Sequence, residues 1–260
     1  MTPTPTKHSL RQSGSILRYP KAEARSVHAR TASEIAPNRH AVHPFDATHG
    51  TDTGGYLTPQ EVAAGREHDA LNYGYSAIAP SVFRAALARW QDTLPGAAKR
   101  LSAYTFVDVG AGKGRALLLA AEVPFRKVVG VELNEELARI ARRNAARQSA
   151  LARPRAKIRV MHADALEFRW PRTPLLVYLY NPFACELVEQ LAAKLADAAM
   201  PSASGLVDLL YVNPTCADAL SRQGKFSLLW TARIEMDQLD QQADPYGTTW
   251  DRVSAYRLRR

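Results

Sequence analysis

The stretch Phe106-Val107-Asp108-Val109-Gly110-Ala111-Gly112-Lys113-Gly114-Arg115 decides how the chain is to be read. A short β-branched and aromatic run, Tyr104–Val109, leads into glycines at every second position, and Lys113–Glu122 then reads as a helix. Glycine lets the backbone turn tightly and come close to a ligand. The helix start that follows offers unpaired N–H groups and the positive end of a dipole. Dinucleotide-binding turns space their glycines G-x-G-x-x-G, whereas here the spacing is G-x-G-x-G. An acid, Asp108, stands two positions before the first glycine. A carboxylate there repels a pyrophosphate and suits a cationic ligand.

On the N-terminal side, Pro80–Leu94 carries Phe83, Ala86, Leu87, Trp90 and Leu94 at helical spacing, which predicts an amphipathic helix from near Ser81. On the C-terminal side strands and helices alternate. Lys127–Glu132, Ile158–Met161, Leu175–Tyr180 and Gly205–Val212 read as strands; Glu135–Ser149, Ala184–Met200 and Ala217–Gln223 read as helices. Such alternation implies parallel strands with right-handed crossovers. Phe226–Ile234 and Val253–Leu258 are two further strands, joined by a polar loop and therefore antiparallel. The expected fold is a doubly wound, mostly parallel seven-strand α/β sheet with an antiparallel last strand and helices on both faces. It occupies residues 80–260, preceded by a disordered basic leader over 1–40 and a loop or lid segment over 41–79.

Composition bounds the function classes. At 260 residues and 46% hydrophobic, the chain suits one large α/β domain with an extension. No apolar run approaches the roughly 18–20 residues of a membrane span, and no secretory segment stands near the start, so a cytoplasmic protein with no membrane partner is expected. Cys185 and Cys216 are the only cysteines and lack metal-type spacing, which favours reduced thiols and no metal. Of the net charge of +9, residues 1–40 contribute seven basic against two acidic side chains. A solvated leader therefore explains most of the excess without nucleic acid.

The glycine-rich stretch resembles the first motif of class I S-adenosylmethionine-dependent methyltransferases, hydrophobic-(Asp/Glu)-x-Gly-x-Gly-x-Gly. The resemblance implies S-adenosylmethionine as cofactor, with Asp108 near the amino group of its methionine moiety. Gly110, Ala111, Gly112 and Gly114 would then form the turn that lets the ligand approach. Glu132 ends the next strand, 24 residues on, where this family places an acid for the ribose hydroxyls. His162-Ala163-Asp164-Ala165 follows the third strand, and there Asp164, with Ala165 beside it, matches the residue that takes the adenine amino group. Together with Asp52-Thr53-Gly54-Gly55-Tyr56, these features are similar to a bacterial group of such methyltransferases without a settled substrate.

Tyr178-Leu179-Tyr180-Asn181-Pro182-Phe183 looks like a shortened (Asp/Asn)-Pro-Pro-(Tyr/Phe) motif of methyltransferases acting on amide or exocyclic amino nitrogens. By that resemblance Asn181, Pro182 and Phe183 are the candidate catalytic residues, and Asn181 also borders the cofactor. A planar nitrogen would give its protons to the Asn181 oxygen and a backbone carbonyl, turning its lone pair to the methyl group, while an aromatic ring stacks on the substrate. One proline is missing, which puts the second acceptor in question. Asn181-Pro182 also simply ends a strand and starts a helix. The methyl acceptor is unidentified; a nitrogen on a protein side chain such as lysine is favoured over nucleic acid or a small molecule. No base stands out: His43, His49 and His68 read as surface or turn residues, and His162 as a pocket residue or, as is usual at a strand end, a structural one. Residues 43–60 and Tyr73–Tyr75 are expected to cover the cofactor's methionine end. Two other classes fit less well. An NAD-linked oxidoreductase conflicts with the glycine spacing, and a non-catalytic cofactor- or nucleic-acid-binding module would bind without turnover, its nucleic-acid affinity falling steeply with salt.

Overall fold

The computed structural model describes residue 40 and residues 42–67, 69–96, 100–151, 154–171, 174–199, 206–222 and 224–259. The expected leader, His40 apart, and His68 lie outside the described residues. An N-terminal segment holds α1 (Pro44–His49), β1 (Tyr56–Leu57), α2 (Pro59–Val62) and β2 (Tyr75–Ser76). The main domain follows as α3 (Pro80–Asp92), β3 (Thr105–Val109), α4 (Arg115–Ala121), β4 (Lys127–Glu132), α5 (Glu135–Leu151), β5 (Ile158–His162) and β6 (Leu175–Tyr180). It ends with α6 (Cys185–Ala199), β7 (Val207–Val212), α7 (Ala217–Arg222), β8 (Phe226–Glu235), α8 (Gln238–Ala243) and β9 (Trp250–Leu258).

Seven strands form one sheet in the order β5-β4-β3-β6-β7-β9-β8. The five from β5 to β7 are parallel, and β9 runs antiparallel to both its neighbours. The architecture is the doubly wound α/β sheet expected, with the last strand reversed. Strand order turns back between β3 and β6, and in open α/β sheets the crevice at that reversal is where ligands bind.

Alternation along each strand sorts the core into two layers. Phe106, Leu176, Tyr178, Leu210, Val253 and Ala255 join α3 and α4 in one cluster. Val107, Val109, Val177, Leu179, Leu209 and Tyr211 face the other way, against α6 and α7. By the same parity, Asp108, Tyr180 and Asp251 belong to the α3 face.

Several elements differ from the sequence reading. Helix α4 begins at Arg115, not Lys113, because Gly114 has a left-handed φ of 91° that no helix can contain. Strand β9 begins three residues before Val253, where Trp250, Asp251 and Arg252 pair with Glu235, Ile234 and Arg233. The polar loop before it contains α8, capped by the Asp237 side chain on Asp240 N. Within the N-terminal segment, β1 and β2 pair antiparallel, and a Thr58–Glu61 capping box starts α2.

Two expectations on single residues are corrected. Cys185 and Cys216 form a disulfide that ties the start of α6 to the turn after β7, so they are not reduced thiols; the two positions are brought together by adjacent strand ends, which spacing alone does not reveal. His43 is no surface residue: it is buried, accepts Phe45 N on Nδ1 as the cap of α1, and its Nε2 lies 3.2 Å from Asp240 Oδ1. Among the described residues no helix is long and apolar enough to cross a membrane.

Candidate active site

At the crevice between β3 and β6 lies a cavity of about 920 Å³, its open mouth included. One wall is the turn after β3 with the ends of β4 and β5: Gly110, Gly112, Glu132, Leu133, Asn134, Asp164, Ala165 and Leu166. The opposite wall is Tyr180, Pro182 and Phe183 at the end of β6, and the roof is Asn72, Tyr73, Gly74, Tyr75 and Ser76 from the N-terminal segment.

Each glycine of the turn has its own reason. Gly110 and Gly112 line the cavity with left-handed φ of 73° and 54°. A Cβ on Gly110 would meet Pro182 Cβ at 2.8 Å, and one on Gly112 would meet the Tyr75 ring at 2.2 Å. Gly114 does not line the cavity; its missing Cβ makes room for Ala141 of α5, at 3.1 Å. Ala111 is likewise absent from the lining and packs in the core.

The acids are held differently. Glu132 is buried, and its two oxygens accept Gly112 N at 2.7 Å and Asn134 N at 2.8 Å. Burial raises its pKa, partly offset by those N–H groups. Asp108 lies behind the lining, 3% exposed, its pKa pushed well up by burial first and by the Glu132 charge second. Asp164 lines the cavity and accepts Leu166 N at 2.7 Å. Among the described lining residues the only charged side chains are Glu132 and Asp164. A cavity lined by one buried and one half-buried carboxylate, and by no cation among the described residues, favours a positively charged ligand and disfavours a phosphate. His162 is exposed, with Nε2 3.0 Å from Leu133 O, and is not part of the lining.

The end of β6 departs from the expected arrangement. Asn181 adopts a left-handed φ of 41°, and its side chain is buried away from the lining. Its Oδ1 already accepts the Tyr211 hydroxyl at 3.0 Å and the Thr215 hydroxyl at 2.8 Å. The Pro182 carbonyl takes Tyr73 N at 3.0 Å, and Leu71 O takes Ala184 N at 2.8 Å. Both acceptors that a planar nitrogen would need are therefore engaged within the protein. Pro182 and Phe183 remain in the wall.

The roof is pinned by the two basic residues of the glycine-rich stretch, a role the motif did not announce. Lys113 Nζ donates to Asp52 Oδ1 and Gly54 O at 2.9 and 3.0 Å. Arg115, 4% exposed, donates to Thr53 Oγ1 at 2.7 Å and pairs with Asp46 at 3.2 Å. Tyr75 Oη donates to Thr53 O at 2.6 Å. The available signal was Arg115 itself, the lone charge in the helix RALLLAA.

Residues 106–202 match the family model described as a methyltransferase domain. The matched region holds the glycine-rich turn and the acids at three successive strand ends, and is similar to a methyltransferase domain. S-adenosylmethionine, the cofactor that the glycine-rich motif implies, carries a cationic sulfonium and ammonium that suit a cavity whose charged lining is acidic. No curated protein sequence matches the chain. Among solved structures the chain is similar to TrmN from Thermus thermophilus, at 22% identity and TM-score 0.47, covering 70% of this chain and 49% of that one. The chain thus spans about half of that protein's length. It is also similar to magnesium protoporphyrin IX methyltransferase from Synechocystis PCC 6803 with bound cofactor, at 14% identity and TM-score 0.48, covering 68% and 79%. A third likeness is a ribosomal protein L11 methylase from Lactobacillus delbrueckii subsp. bulgaricus, at 16% identity and TM-score 0.43, covering 67% and 77%.

Proposed function

We propose that this chain transfers the methyl group of S-adenosylmethionine to an amine nitrogen on a protein side chain, lysine foremost. The observation that carries the reading is the absence of any Lys, Arg or His among the described lining residues, beside Glu132 and Asp164. An acceptor carrying phosphates, as nucleic acid does, would meet only negative charge there, whereas an ammonium is attracted. The engaged oxygens of Asn181 and Pro182 argue further against a planar amide or base nitrogen. In this reading Gly110, Gly112, Glu132, Asp164 and Ala165 hold the cofactor directly. Asp108 acts from behind Glu132, and Asn181 positions Pro182 and Phe183 rather than touching the acceptor. The cofactor supplies an electrophilic methyl on sulfonium; the protein supplies alignment and exclusion of water.

The test is labelled S-adenosylmethionine incubated with the protein and a host lysate, with an Asp108→Ala control. Label in the protein fraction, surviving acid hydrolysis as methyl-lysine, is expected. Label in nucleic acid or small molecules, or none above the control, rejects the reading. NAD-linked chemistry would instead show as tight NADH binding.

A further inference from the structure

We propose that Asp251 receives the ammonium of the methyl acceptor and removes its proton, making the α3 face beyond Tyr180 the acceptor subsite. This deepens the amine reading and rests on it. Asp251 is 2% exposed, at the start of β9. The register places it there: Tyr180 pairs with Val212, Val212 with Val253, and Asp251 lies two residues further toward the cavity end of the sheet.

Its Oδ1 accepts Asn213 Nδ2 at 2.7 Å, and its Oδ2 is buried with no hydrogen-bond partner. Asn213 is held for this task at a left-handed φ of 48°, bonded to Arg252 through both its backbone N–H and its Oδ1. Asn213 is half-buried, and its left-handed backbone fixes the side chain that donates to Asp251. A buried, unpaired carboxylate oxygen is costly unless something donates to it, and a substrate ammonium is such a donor.

The surroundings suit an alkyl ammonium. The groups facing Asp251 are Tyr178 and Tyr180 from β6, and Asp244 and Tyr246 from the turn before β9. Tyr56 of β1 meets Tyr246 edge-on, ring centroids 5.7 Å apart. A second acid, Asp244, favours a cation over a neutral group. Tyr180 itself lines the cofactor cavity, and Asp251 lies outside that lining, on the same sheet face as Tyr180. Burial, opposed by the Asn213 hydrogen bond and reinforced by Asp244, lifts the Asp251 carboxyl to about 7, where a general base is most useful.

The step balances. The ammonium proton passes to the Asp251 carboxylate, and the freed lone pair forms the N–C bond to the donor's methyl. The C–S bond breaks, its electron pair stays on sulfur as a thioether, and Asp251 later gives the proton to water.

The probe is n-butylamine, a lysine side-chain mimic, with n-butanol as its uncharged counterpart, titrated by NMR into the full chain loaded with S-adenosylhomocysteine. We expect butylammonium to bind at least tenfold more tightly than butanol, and Asp251→Asn to reduce that preference below twofold while S-adenosylhomocysteine affinity stays within twofold. Equal affinities in the wild type, or a preference that survives in Asp251→Asn, overturn the assignment. The wild-type comparison needs no variant, so a misfolded Asn variant leaves the test decisive. Butylammonium selectivity alongside label in nucleic acid would reject the amine reading while leaving the subsite; protein label without selectivity would reject the subsite alone.

Discussion

Single residues carry the sharpest consequences. A carboxyl raised from 3.8 to about 7, as Asp251 is, holds its proton more tightly folded than unfolded. Its contribution to stability is complete below about pH 4 and is lost as pH rises through about 7. The loss amounts to about 4 kcal/mol at most. Calorimetry should therefore show the wild-type melting temperature falling between pH 5 and 8, and falling less in Asp251→Asn; parallel profiles would contradict the assigned burial. Methyl transfer should have the opposite slope, rising through the same interval, because the base works ionised. At the glycines, Gly112→Val should weaken cofactor binding a hundredfold or more while circular dichroism stays unchanged, since its Cβ meets the Tyr75 ring. Gly114→Ala should instead lower stability through Ala141 and the left-handed φ, with the cavity wall intact. Glycine spacing shows that a tight turn exists but not which glycine serves the ligand and which serves a helix. Asp251 gave no signal either, because a lone acid near a strand start looks like any hairpin residue until neighbouring strands bury it.

At the level of elements, pattern and register explain most of what the sequence revealed. The parallel strands are short, apolar on both faces and separated by amphipathic helices, so β3, β4, β6 and β7 are readable from composition alone. The N-terminal segment was not, because β1 and β2 have two residues each and α1 is six residues long. Such pieces exist through tertiary contacts, here Arg115 and Lys113, and have no period to detect. Helix α8 was missed for the same reason; its Leu239 is 57% exposed and marks no apolar face. Arg115→Met leaves Asp46 buried without its ion-pair partner, which typically costs about 3–5 kcal/mol. Urea unfolding should show that loss, and limited proteolysis should cut faster between residues 42 and 79. Reduction of Cys185–Cys216, which closes a loop over a sequence separation of 31, should lower stability by roughly 3–4 kcal/mol. A melting temperature insensitive to dithiothreitol would show that the bridge is absent in solution.

Across the whole molecule, the site divides by sequence distance. The cofactor wall comes from Gly110 to Leu166, a single run inside the region that matches the family model. The roof and acceptor side come from Asn72–Ser76, Tyr180–Phe183 and Asp251, most of them outside it or at strand ends. Local motifs made the first half legible. The second half is assembled by sheet order, which puts β9 next to β7 rather than at the edge. Deleting residues 1–60 should weaken S-adenosylmethionine binding at least tenfold by calorimetry, because Thr53 and Asp46 no longer hold Tyr75 and Arg115; unchanged affinity would show that the roof does not contribute.

That uneven division also sets an order of maturation during synthesis. Chains emerge from the ribosome N-terminus first, and domains consolidate as their parts appear. Every residue of the cofactor wall has been made by Leu166, whereas Asn213 and Asp251 arrive much later, and β9, the last strand made, lies between β7 and β8. The wall that faces the methyl donor is thus complete in a growing chain long before the residues of the proposed acceptor subsite exist, and a chain truncated after α6 should retain the first and lack the second.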